Sequence, residues 1–209
     1  MKMKQFVLTI LFFAFAIVAF PKDRFVMAKI IMNNNDTLVN AIKYEKLFDF
    51  QNKFEMVNDD GTRKTVFPLD AKGFYIVVGV KDTVYFESNC GLKFGLADNV
   101  DKNCYFIMKQ NSGKAPLYYF TYSKLYSAGV NMQSVNSPCY LSKYRGEWIM
   151  MEESNYIEQI IKLIKPFKRT ENETIKSKLA EFESALKSRN YPYDDMQKIF
   201  VSINKILNL

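Results

Sequence analysis

Three cysteines and a few carboxylates are the residues of this chain best suited to bond-making chemistry. There is no histidine. That removes the commonest metal ligand, the usual proton carrier near neutral pH, and any Ser or Cys triad built on an imidazole. The spacings of a phosphate-binding loop and of a dinucleotide fingerprint are missing too. Asp98, Asn99, Asp101 and Asn103 offer oxygens that suit Ca²⁺, but without the Gly and distal Glu of an EF-hand loop. A solvated turn accounts for them. Glu152 with Glu153 and Asp59 with Asp60 are adjacent acids, and neighbours along a strand point to opposite sides, which does not suit two acids sharing one substrate. The sequence assigns no catalytic residue, no metal site and no cofactor.

The cysteines, Cys90, Cys104 and Cys139, read as structure. In an oxidising compartment Cys90 pairs with Cys104 and leaves Cys139 buried. Closing a loop of about 15 residues stabilises a fold by about 3 kcal/mol in the chain-entropy model. The alternative is three buried thiols, since free Cys behaves as a small core hydrophobe.

Binding chemistry is better represented. Tyr118, Tyr119, Phe120, Tyr122, Tyr126, Tyr140, Tyr144 and Trp148 crowd one region. Both faces of a strand over 118–122 are then aromatic, and one of them has to meet something beyond the sheet's own core. Tyr119, Tyr122, Tyr126 and Trp148 are the candidate binding residues, forming a surface for sugar or peptide. Packing beneath a helical tail is the competing reading.

The elements that position these residues follow from period and turn chemistry. Strands are expected at about Phe25–Met32, Thr37–Tyr44, Lys53–Val57, Arg63–Phe67, Phe74–Val80 and Thr83–Glu87, punctuated by Asn33–Asp36, Asp59-Asp60-Gly61 and Pro68. Lys93–Leu96, Cys104–Met108 and Leu117–Tyr122 extend the series. Cys139–Tyr144 and Glu147–Met151 make a hairpin across Arg145-Gly146. The polar stretch Ser127–Pro138, with its Gly and Pro, is expected to be a long loop. Beyond residue 152 the spacing turns helical. One stripe is Tyr156, Ile157, Ile160, Ile161 and Ile164, ended by Pro166. A second is Ile175, Leu179, Phe182 and Leu186, with Thr170 and Glu173 as its capping box. A third is Met196, Ile199, Phe200, Ile203 and Leu207. Lys162, Lys165, Lys168 and Arg169 gather where the first helix ends. There they complement the helix dipole, or serve a membrane surface.

At the other end, Lys2 and Lys4 precede an apolar run from Phe6 to Phe20, the pattern of a secretory signal. A spanning helix wants about 20 residues. Cleavage is expected after Ala19 rather than Ala28, which would cut into the first strand; an uncleaved anchor is the alternative. No Cys follows the run to carry a lipid. Cleavage removes Lys2 and Lys4, taking the net charge from +7 to +5 (27 basic against 22 acidic residues). In an exported protein that excess fits an anionic lipid surface or a polyanionic glycan better than nucleic acid.

Asn35-Asp36-Thr37-Leu38, Asp60-Gly61-Thr62, Pro68-Leu69-Asp70-Ala71-Lys72-Gly73-Phe74 and the closing stretch from Tyr191 to Asn204 occur in a particular order. In that order the chain resembles a group of uncharacterised exported proteins of Bacteroidota-type bacteria. It departs from their pattern at Asn35, usually Gly, and at Ala71, usually Ile. The resemblance implies an exported α+β protein and carries no catalytic residue.

The expected organisation is a signal peptide at 1–19, a β-rich domain at 20–151 and a helical tail at 152–209. The fold class is α+β, a mainly antiparallel body, as a small barrel or meander, with three C-terminal helices packed on it. The expected location is the periplasm, the outer-membrane surface or the exterior. The expected role is non-catalytic binding or scaffolding of an envelope protein or glycan. A carboxylate-dependent hydrolase and a peripheral membrane protein are the alternatives.

Overall fold

A computed structural model describes residues 24–44, 46–78, 82–92, 104–128, 131–188 and 191–209, with the backbone alone at 48, 78, 82, 123–128 and 131–135. The expected signal segment, the strand at 93–96 and the Asp98–Asn103 oxygens lie outside the described residues.

Ten strands precede three helices. The strands are β1 (Arg24–Met32), β2 (Thr37–Tyr44), β3 (Phe54–Val57), β4 (Arg63–Val66), β5 (Ala71–Val78), β6 (Asp82–Cys90), β7 (Cys104–Asn111), β8 (Leu117–Ala128), β9 (Asn131–Tyr144) and β10 (Glu147–Met151). The helices are α1 (Tyr156–Ile164), α2 (Glu173–Lys187) and α3 (Met196–Leu207). The strands form one antiparallel sheet in the order β10-β9-β8-β7-β6-β5-β1-β2-β3-β4. The class is α+β with a mainly β body, and the sheet is not closed into a barrel.

The order contains a length problem. β5 pairs with β1, so a flat sheet would hold β4 four strand spacings from β5, about 19 Å. The link from Val66 to Ala71 is five chain steps, at most about 18 Å fully stretched. The sheet has to roll. It does so around phenylalanines: Phe54 of β3 packs on Phe74 of β5 at 4.5 Å and on Phe106 of β7 at 5.4 Å. Phe50, from a 3₁₀ turn at Leu47–Gln51, fills the same core against Phe74 and Phe86. The link is fastened as it passes, with Asn33 Nδ2 donating to the Leu69 carbonyl and Ser88 Oγ to that of Pro68. Asn35 sits at φ 72°, a conformation that Gly or Asn takes most readily.

The helices cover the same face of the sheet farther along. Leu117, Ile149 and Met151 meet Ile160, Leu163, Leu179, Phe200 and Ile203 in one buried cluster. α2 is capped by Asn172, whose Oδ1 accepts from the Ile175 N–H at 3.1 Å. Thr170 Oγ1 accepts from Asn172 N instead of capping the helix, so the expected capping box is displaced by two residues. A third cluster lies on the reverse face of β7–β9, with Ile107, Tyr118, Phe120, Cys139 and Leu141. At the β6–β7 end, Cys90 and Cys104 are opposite one another and disulfide-bonded, and Cys139 is buried in the third cluster, outside that bond.

Residues 127–138, expected to be a loop, belong to a hairpin: β8 and β9 pair from Tyr118↔Leu141 out to Ala128↔Asn131. Pairing of β8 with β7 ends at Tyr119, and that of β9 with β10 ends at Tyr140. The rest is a two-stranded ribbon with no sheet neighbour among the described residues, which suits its polar sequence.

Two amide side chains close the ladder where it opens. In the orientation that pairs donor with acceptor, the Gln51 amide meets the Thr121 N–H and carbonyl, both at 2.9 Å. Asn204 of α3 does the same for Ala115, accepting from its N–H at 2.9 Å and donating to its carbonyl at 2.7 Å. Gly113, at φ 136°, lies so close beneath that any Cβ there would overlap the Asn204 amide. Replacing Asn204 by Leu leaves both Ala115 groups buried without partners. We expect the Asn204→Leu variant to lose about 3 kcal/mol of stability in urea unfolding; a loss below about 1 kcal/mol would show that the amide pairing is not what docks α3.

Candidate functional site

Of the aromatic candidates, Tyr122 and Trp148 share one face of the sheet and Tyr119 lies on the other. Tyr119 is on the helix-covered face, where rings run in a chain from Tyr119 to Tyr140 at 5.6 Å, Tyr193 at 5.4 Å and Tyr156 at 5.5 Å. Tyr193 donates to the Met151 carbonyl and Tyr156 to that of Tyr191, so these rings fasten the helices to the sheet. Burial first, then the neighbouring Cys139, Tyr140 and Glu152, pushes the Tyr193 hydroxyl up and keeps it a donor. Tyr122 and Trp148 lie on the reverse face, against the third cluster. Tyr126 is opposite Gln133 on the outer ribbon, and only its backbone is described. A single surface of Tyr119, Tyr122 and Trp148 is therefore ruled out by the alternation along β8: residues an odd number apart face opposite sides.

Trp148 belongs to a cross-strand row instead. It packs edge-on against Tyr118 at 5.3 Å, and Lys143 lies over its ring at 5.0 Å. Tyr118 donates to Glu87 at 3.2 Å, and Lys109 pairs with the same oxygen at 3.4 Å. Burial, then the Glu87 charge, pushes the Tyr118 hydroxyl up; the same causes push Tyr85 up to about 12. The row is satisfied within itself.

The adjacent acids also serve structure. Glu152 accepts from the Tyr122 hydroxyl while Glu153 is exposed. Asp60 closes its turn by accepting from the N–H and hydroxyl of Thr62, which hold its carboxyl below the usual range.

The concavity with chemical character lies elsewhere, between the β9–β10 turn, the end of α1 and the end of α3. This cleft of about 650 Å³ is lined by Lys114, Arg145, Lys162, Lys165 and Arg169, with Tyr144, Pro166, Phe167, Thr170, Ile175 and Leu207. No carboxylate among the described residues lines it. Local rules place each cation. Arg145 and Gly146 form a two-residue hairpin turn with φ 51° and 86°, which the right-handed twist of the strands requires. The turn sets the Arg145 guanidinium 5.3 Å over the Tyr144 ring. Past Pro166 the chain does not stop but tightens into a 3₁₀ segment, Lys165–Arg169. Lys162, Lys165 and Arg169 therefore share one side. Lys168 turns the other way, to Glu183 at 2.5 Å. Phe167 packs edge-on against Tyr144 at 5.1 Å and forms part of the wall. Lys114 crosses the far end, donating to the Leu207 carbonyl at 2.6 Å.

Sequence reading located the cations at 162–169 but not Lys114, Arg145 or the aromatic wall, because no local pattern links these segments. Comparison of the chain with family models, curated proteins and solved structures finds no match.

Glu183 is what separates Lys168 from the cleft cations. Hydrogen bonds from Lys168 and Lys187 hold its carboxyl below the ordinary 4.5. A depressed carboxylate stabilises the fold above its unfolded pKa and loses that contribution as pH falls through the folded one. We expect Glu183→Gln to lower stability by about 0.5 kcal/mol at pH 7. In thermal unfolding the gap from the parent protein should shrink as pH falls through the lowered folded-state pKa of Glu183. A gap that widens with acid would contradict this assignment.

Proposed function

We propose that this protein is an exported, non-catalytic binding module of the cell envelope, and that the cationic cleft is where it holds an acid-bearing envelope component. The observation that carries this reading is five cations around one cleft with no lining carboxylate among the described residues. Like charges gathered without counter-charge raise one another's energy, and a bound anion relieves that. The electron-rich carbonyls ending α1 and α3 offset part of it, and Lys114 is engaged in this way. Arg145, Lys162, Lys165 and Arg169 make no ion pair among the described residues. Export is supported by the basic and apolar N-terminal sequence, by the resemblance to exported Bacteroidota-type proteins, and by a disulfide of a kind that persists in oxidising compartments.

Dextran sulfate is a suitable probe, with unsulfated dextran as control. We expect binding that weakens with salt. The combined variant Lys162→Gln, Lys165→Gln and Arg169→Gln should bind about a hundredfold more weakly, at about 1 kcal/mol per cation. An equal charge loss elsewhere, at Lys53, Lys64 and Lys72, should change little. Equal losses in the two variants would show a response to net charge only and remove the cleft from the account.

A further inference from the structure

Resting on that reading of the cleft, we infer that its ligand is an anionic amphiphile: one phosphate-like acid group joined directly to a hydrocarbon segment. The cations occupy only part of the lining. Tyr144, Pro166, Phe167 and Ile175 are each half-buried, and all four line the same cleft. Their exposed portions therefore face the space the ligand enters. An acid alone would leave those surfaces wet, and a sugar polymer rich in charge would bring water against them. A hydrocarbon adjoining the acid removes both surfaces from water at once. Pro166 and Phe167 stand between Lys165 and Arg169, so a hydrocarbon joined directly to the acid reaches them. Lys162, Lys165 and Arg169 come from one side of α1 and its extension, and Ile175 comes from the first turn of α2. Thr170, between them in the chain, adds a hydroxyl to the lining. The cations also surround a concavity rather than crown a convex surface, so the site takes one molecule at a time.

The test compares ligands on the unaltered protein by calorimetry, with dodecyl phosphate below its micelle concentration, inorganic phosphate and dodecyl maltoside. We expect dodecyl phosphate to bind at least about tenfold more tightly than phosphate, from the added burial of its chain. Dextran sulfate should compete with it, and the Lys162→Gln, Lys165→Gln, Arg169→Gln variant should lose it. Ile175→Ser, checked for an unchanged melting temperature, should reduce dodecyl phosphate binding but not dextran sulfate binding. If dodecyl phosphate binds no better than phosphate while dextran sulfate still binds the cleft, the amphiphile is overturned and the acid site stands. If dodecyl maltoside binds as tightly as dodecyl phosphate, the acid plays no part and the inference fails. Vesicles with and without phosphatidic acid then identify the source. Cleft-dependent vesicle binding points to a bilayer lipid, and binding of dodecyl phosphate without vesicle binding points to a free amphiphile.

Discussion

A ten-stranded sheet presents more apolar surface on one face than any single cover removes from water. This molecule hides that face in two ways. Over β1–β7 the sheet is its own cover, rolled because the five-step link from β4 to β5 cannot cross a flat sheet, and filled by Phe54, Phe74, Phe86 and Phe106. Over β8–β10 three helices cover the face, and no strand returns there among the described residues. Between these regions the ladder breaks between β7 and β8, and peptide groups are left facing the interior. Gln51 and Asn204 supply the missing partners with side-chain amides. The position of the helices, and hence of anything built from their ends, follows from that division.

The cleft is one such construction. Docking α3 through Asn204 brings its C-terminal carbonyls toward Lys114. Docking α1 on β10 brings its C-terminal extension beside the Arg145 turn. Three segments far apart in sequence thus contribute cations to one place. Glu183, which would cancel part of that charge, is held on the far side of the segment by Lys168 and Lys187. The aromatic residues have the opposite character. Tyr119, Tyr140, Tyr156 and Tyr193 pair with one another and with backbone carbonyls, so most of their surface is spent on holding layers together.

Features fixed by neighbouring residues were legible in the sequence. The Asn33–Asp36, Asp60-Gly61 and Arg145-Gly146 turns and the stripes of α2 and α3 depend only on local chemistry, and each is where the pattern puts it. The class followed, because alternating strands and then helical stripes leave little choice of layers. The ribbon at 127–138 was not legible, since paired strands without a sheet above or below need no apolar alternation. Nor was the dispersal of the aromatics. A run with rings on both faces says that two surfaces are covered, not by what. The cleft was half legible: Lys162, Lys165 and Arg169 stand together in the chain, whereas Lys114 and Arg145 join them only through tertiary packing.

The central claim is that these cations act as one site. It is tested most directly by following the side-chain Nε–H signals of Arg145 and Arg169 by NMR during titration with phosphate. The account predicts that both move along a common saturation curve, with Lys53, Lys64 and Lys72 unperturbed. Independent curves for the two arginines, or shifts spread evenly over the basic surface, would contradict it.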